Sequence, residues 1–223
     1  MQVGLFVLYR RRRDQRIVTA NQTQRERLTE MMQGIHQRGW CDGTGGNFSV
    51  VIQRQPLHLL MAPSGVDKGQ VRADQLIVVD EYGKVLTGEG KASAETALHQ
   101  RIVEATQAGA VLHTHSLPGT VLSRHYEVKG GLPLEGWEML KGLVGISTHA
   151  SRINIPVISN SQSMQELGDA IAASLALAPC GFLVAGHGLY AWGDDLDSSK
   201  RHLEILEFLL KVKLTQMQIG HQS

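Results

Sequence analysis

The chain has two cysteines in 223 residues, Cys41 and Cys180, and neither lies in a CxxC pair. That excludes a disulfide framework and a cysteine zinc knuckle, and thiols kept reduced point to a cytosolic protein. Charge of one sign is also lacking. The 22 basic residues against 21 acidic ones leave no broad field to attract nucleic acid or an anionic membrane. No GxGxxG turn follows a first strand, so a Rossmann dinucleotide site is not expected. No repeat, low-complexity block or long Pro/Ser-rich linker divides the sequence. The apolar N-terminal stretch MQVGLFVLY is too short to span a bilayer, and the run Arg10 to Arg13 follows it. A secretory signal has the reverse order and a small-residue cleavage site. Residues 1–22 are therefore expected to be a disordered or loosely docked extension, with one domain over 23–223. The rival use of the arginine run, as a contact for nucleic acid, rests on that run alone.

What is present is an apolar content of 42%, enough for one sizeable core. Leu28, Met31, Met32 and Ile35 recur at helical spacing, predicting a helix from about Thr23 to Arg38 that ends at Gly39. Short strands are expected at Phe48 to Ile52, Leu57 to Met61, Leu76 to Val79, Val85-Leu86 and Ala110 to His115. Others are expected at Ile155 to Ile158, Gly181 to Val184 and Leu189 to Trp192. Ser93 reads as the N-cap of a helix to about Gln107, stopped by Gly109. Pro118-Gly119 starts a short helical turn. Ser163 and Glu166 form a capping box, and Asp195 or Asp197 opens a long final helix with Leu203, Leu206 and Leu210 inward. Short strands outnumber strand–helix–strand alternations. The class is α/β, with a mixed or mainly antiparallel sheet and helices packed on its faces.

Three histidines carry the chemical signal. His113 and His115 are two apart at the end of an apolar strand, so they share a face. His187 sits between Gly186 and Gly188, where the backbone is free to turn. Three neutral imidazoles around zinc leave a fourth position open, the catalytic arrangement. Iron, nickel or cobalt would suit the same ligands. Glu95, early in its helix, is a metal ligand, a proton carrier or simply an acid favoured by the helix N-terminus. Glu138 stands beside Trp137 and Met139, where an apolar setting would raise its pKa toward that of a general acid. Two loops suit an anion: Gly45-Gly46-Asn47, and Ser64-Gly65 with Lys68 close behind.

The ordered motifs TGGN, APSG, KASAET, AVLHTHS and GHGLYAWG, with a long C-terminal helix after them, resemble the class II aldolase/adducin family. The resemblance runs from about Thr23 to Met217. The segments SGVDKG, LEGWEMLKG and GHGLYAWG are similar to its sugar-phosphate dehydratases in particular. It implies a three-layer fold, a central mostly antiparallel sheet with helices on both faces. It also implies a homo-tetramer with active sites at subunit interfaces, a small phosphorylated sugar as substrate, and one Zn2+ per subunit held by His113, His115 and His187. The dehydratase acid/base falls on Glu138 and the aldolase glutamate on Glu95. Which of the two removes the substrate proton stays open. Phosphate contacts fall on Gly46, Asn47, Ser64, Gly65 and Ser93. Aldolases carry two adjacent serines before the glutamate; here Ala92-Ser93 supplies one. The rivals are an aldolase or 4-epimerase on the same framework and a non-catalytic adducin-type module, in which loss of the metal histidines would be expected.

Overall fold

The computed structural model describes residues 22–220. Apart from Gln22, the extension expected over 1–22 lies outside the described residues. Nine strands form one sheet: β1 (Asn47–Arg54), β2 (Leu57–Met61), β3 (Ile77–Val79), β4 (Val85–Thr87), β5 (Ala110–Thr114), β6 (Gly131–Glu135), β7 (Arg152–Ile158), β8 (Gly181–Val184) and β9 (Gly188–Gly193). Their spatial order is β4-β3-β2-β1-β5-β9-β8-β7-β6. Only β7 and β8 pair in parallel; every other neighbouring pair is antiparallel.

Helices cover both faces. On one, α1 (Gln22–Gln37), α3 (Leu117–Tyr126) and α5 (Leu196–Gly220) pack Leu28, Met32, Leu122, Leu203 and Leu206 against strand residues such as Phe48, Leu112 and Ala191. On the other, α2 (Thr96–Thr106) and α4 (Met164–Leu175) pack Leu98, Ile102, Leu167 and Ile171 against Leu59, Val111, Phe182 and Trp192. Alternation along each strand divides the two cores: Ala110 and Leu112 face the first, Val111 the second. No helix among the described residues is long and apolar enough to cross a membrane.

Several local expectations are corrected. Ser93 does not cap α2. The N-cap is Glu95, and Ser93 accepts the Glu95 amide at 3.3 Å in the turn before it. The helix closes on Gln107, about where expected, but its left-handed C-cap is this non-glycine residue at φ 60° and not Gly109. Pro118-Gly119 opens a complete helix, because the Ser116 hydroxyl accepts the Gly119 amide at 3.0 Å and proline is tolerated in a first turn. The capping box at Ser163 is half made, since the Glu166 carboxylate turns to the Ser161 hydroxyl. Strand β6 was not expected, as Pro133 interrupts its pattern. It lies at the sheet edge, where a missing N–H is tolerated.

Candidate metal centre

Antiparallel pairing brings the start of β1, the end of β5 and the start of β9 to one end of the sheet. Asn47 lies opposite His113, and His113 opposite Tyr190. His113 is the penultimate residue of β5, and His115 follows the strand, its amide donating to Trp40 O at 2.7 Å. His187 is delivered by the turn between β8 and β9. Gly186 supplies a φ of 64° there, and a Cβ on Gly188 would lie 1.9 Å from the Thr114 carbonyl oxygen. Two hydroxyls of α3 pin that turn: Thr120 donates to His187 O at 3.1 Å, and Ser123 accepts the Gly186 amide at 3.0 Å.

The three rings converge through Nε2. His115 Nε2 is 2.8 Å and His187 Nε2 is 3.3 Å from His113 Nε2. Glu95 closes the group, with Oε1 3.1 Å from His187 Nε2 and 3.6 Å from His113 Nε2. All four ligand atoms lie within 4.8 Å of one another. His113 Nδ1 faces the Leu189 carbonyl at 2.9 Å. A carbonyl only accepts, so Nδ1 carries the proton and Nε2 presents a lone pair. Burial holds His113 well below the usual imidazole range and lowers His115 too, so both favour the neutral ligand form. Burial alone would raise the Glu95 carboxyl. Its hydrogen bond to His187 leads the opposing effects, which together hold it below the ordinary range. Protons would satisfy such a set only pair by pair, whereas one cation at the three ring nitrogens would satisfy them together, with the Glu95 charge beside it. Tetrahedral coordination at about 2.0–2.1 Å needs nitrogens about 3.3 Å apart, the separation of His187 from His113, while His115 stands closer at 2.8 Å.

The anion loops border the same end. A Cβ on Gly45 would lie 2.9 Å from His115 Nδ1, and Gly46 takes a φ of 74° beneath the His113 carbonyl. Lys68 ties the two loops together, donating to Thr44 O at 2.9 Å and Val66 O at 3.0 Å. Burial lowers its pKa, which Cys41, Asp67 and Glu95 oppose. Gly65 turns at φ 77°, and the Ser64 amide donates to Lys91 O at 2.8 Å, two residues before Ser93. The Asn47 amide is committed to Glu95 Oε2, so its side chain braces the carboxylate.

Glu138 departs from expectation. It begins a short 3-10 turn, its side chain is 72% exposed, and it pairs with Lys141 at 2.7 Å and His149 at 3.6 Å. The hydrogen bond and charge of Lys141 lower its pKa, the reverse of the rise expected from an apolar setting. Within this chain it stands outside the four-residue group. Two residues that sequence reasoning passed over matter here: Tyr190, whose hydroxyl donates to Glu95 Oε1 at 3.2 Å, and Glu207 behind β5. Tyr190 was detectable in principle, because the alternation that places His113 on the α2 face places its cross-strand neighbour there too.

The model of the family described as Class II Aldolase and Adducin N-terminal domain matches residues 26–214. A methylthioribulose-1-phosphate dehydratase of Serratia proteamaculans is 41% identical over 198 residues, 86% of this chain and 96% of that protein. One from Sorangium cellulosum is 40% identical over 85% of this chain and 90% of its own length. Among solved structures, an L-fuculose-1-phosphate aldolase from Thermus thermophilus superposes with a TM-score of 0.72 at 22% identity, covering 90% of this chain and 98% of that one. At that identity the likeness establishes the fold.

Proposed function

The chain belongs to the class II aldolase and adducin family, and on that footing we propose that it is a zinc-dependent methylthioribulose-1-phosphate dehydratase. The reaction is a hydro-lyase step of methionine salvage, giving 2,3-diketo-5-methylthiopentyl 1-phosphate and water. The observation that carries this reading is the convergence of His113, His115 and His187 on one point with Glu95 beside them. The relatives alike over most of their length favour this reaction over aldol cleavage. The intact metal-binding set argues against a non-catalytic module.

His113, His115 and His187 would hold Zn2+, which when bound would supply a Lewis acid for the substrate ketone and make the carbon 3 proton more acidic. Glu95 takes that proton: Asn47 and Tyr190 hold its carboxylate beside the histidine nitrogens. A second group must protonate the carbon 4 hydroxyl, which leaves as water, and the enol then becomes the diketone. Glu138 fills that role from a neighbouring subunit of a homo-tetramer, since in its own chain it points to solvent. The loops at Gly46, Ser64-Gly65 and Ser93 hold the phosphate, turning binding energy into orientation of the reacting carbons. Residues 23–223 form the catalytic unit, working in the cytoplasm.

Purified protein is to be incubated with methylthioribulose 1-phosphate. Diketone formation supports the reading, and release of an aldehyde in its place would establish an aldolase. Mixing inactive His113→Ala and Glu138→Gln subunits tests the shared site: activity regained on mixing supports it, and none regained excludes it.

A further inference from the structure

Sheet register sets four side chains in a row on the α2 face: Asn47 opposite His113, His113 opposite Tyr190, and Tyr190 opposite Phe182. The Tyr190 ring stacks on the His113 imidazole with centroids 3.9 Å apart and planes at 11°, and on Phe182 at 5.0 Å and 15°. Its hydroxyl donates to Glu95 Oε1, while Asn47 holds Oε2. Oε1 is the oxygen that approaches both the His187 and His113 nitrogens. One buried phenol thus touches a ring and a carboxylate of the same group.

Phenylalanine would fill the same stack without a hydroxyl to satisfy. A buried hydroxyl costs free energy unless it is bonded, so core packing alone gives no reason for a tyrosine at this position. Burial and the nearby Glu95 charge push the phenol pKa well up, which keeps it a donor.

We propose that Tyr190 is a positioning residue for the metal site, fixing the plane of His113 through its ring and the direction of Glu95 Oε1 through its hydroxyl. The placement follows from the geometry alone, while its kinetic consequence rests on the dehydratase reading. Asn47 completes the clamp, so the carboxylate is held at both oxygens and cannot rotate away from the histidine nitrogens without breaking a hydrogen bond.

The test compares cobalt(II)-loaded wild type, Tyr190→Phe and Phe182→Leu by visible absorption, thermal unfolding and steady-state kinetics. Phe182 touches the far face of the Tyr190 ring and controls for packing. Tyr190→Phe is expected to retain stoichiometric cobalt but shift its absorption bands. Its kcat should fall about 10- to 100-fold with KM within about threefold, as for loss of a hydrogen bond to a charged group. Phe182→Leu should unfold at lower temperature with its bands unmoved. Bands that superimpose on wild type in Tyr190→Phe, or that move equally in both variants, would overturn the role of the hydroxyl. A wild type that binds cobalt but leaves methylthioribulose 1-phosphate unchanged would overturn the dehydratase reading instead, and the spectra would still decide the role of Tyr190.

Discussion

Glu207 on α5 accepts a hydrogen bond from the Thr114 hydroxyl at 2.5 Å, on the opposite face of β5 from His113. In His113-Thr114-His115-Ser116 the two imidazoles point one way and the two hydroxyls the other. Burial raises the Glu207 carboxyl, and hydrogen bonds from Ser116 and Thr114 pull it partly back. The folded protein therefore holds this proton more tightly than the unfolded chain, whose glutamates titrate near about 4.3. That advantage is complete below the unfolded pKa and is lost as pH rises through the folded value. In urea unfolding from pH 4 to pH 8, wild type should lose stability relative to Glu207→Gln as pH increases. A gap that stays constant would show that Glu207 does not titrate across the range. Glu207→Leu leaves the Thr114 hydroxyl unmatched and should cost about 1–3 kcal/mol.

Removing a ring from the group should act on metal and turnover together. His113→Ala, or His187→Ala, leaves two nitrogens and one carboxylate where four acceptors stood. Metal content measured after dialysis should fall well below one per chain, and turnover should drop by about 1,000-fold or more. A chelator should reproduce the loss in wild type, and added Zn2+ should reverse it. Full activity in metal-free protein would sink the mechanism.

Glu95→Gln separates chemistry from binding. The amide keeps the shape and can still accept from Tyr190, but it cannot take a proton. A kcat lowered by about 100-fold or more, with KM little changed, is the signature of a lost proton acceptor. Near-normal kcat would move that role to another group.

Gly188 is required for a steric reason. A methyl group there would meet Thr114 O at 1.9 Å and His113 Cε1 at 3.2 Å. Gly188→Ala must therefore push β9 from β5 and carry His187 with it. We expect a lower unfolding temperature and weakened metal binding together, measured by calorimetry and metal titration. Wild-type behaviour in both would contradict the close approach seen here.

The layered fold and the meeting of the three histidines were legible because both follow from period-2 alternation and from glycines at a turn. Strand ends also fixed which residues reach the same edge. Glu95 was visible as an acid, yet its function as the N-cap residue of α2 was not, since local spacing favoured Ser93 as the cap. The setting of Glu138 was hidden for a related reason. Neighbours in sequence suggested an apolar setting, but a 3-10 turn places Lys141 one turn away and leaves the carboxylate in water. Asn47 read as a loop residue for an anion because its partner lies 48 residues downstream. Contacts across the sheet depend on register, which local spacing does not encode.

The two cysteines give a test of the packed state itself. Cys41 is fully buried in the α1 core, and burial pushes its thiol up to about 11. Cys180, 1% exposed, is pushed up to about 12. The thiolate is the reactive form, so at pH 8 only about one Cys41 in a thousand is ionised and fewer at Cys180. A disulfide reagent should therefore find no rapidly reacting thiol in native protein and two per chain in denaturant. Slow native labelling should follow local or global opening and accelerate with added urea. Removing the metal should speed labelling at Cys41 more than at Cys180, because Cys41 packs under Gly46, whose backbone lies against the His113 carbonyl. Rapid reaction of either thiol in folded, metal-loaded protein would contradict the burial of that side chain in the core.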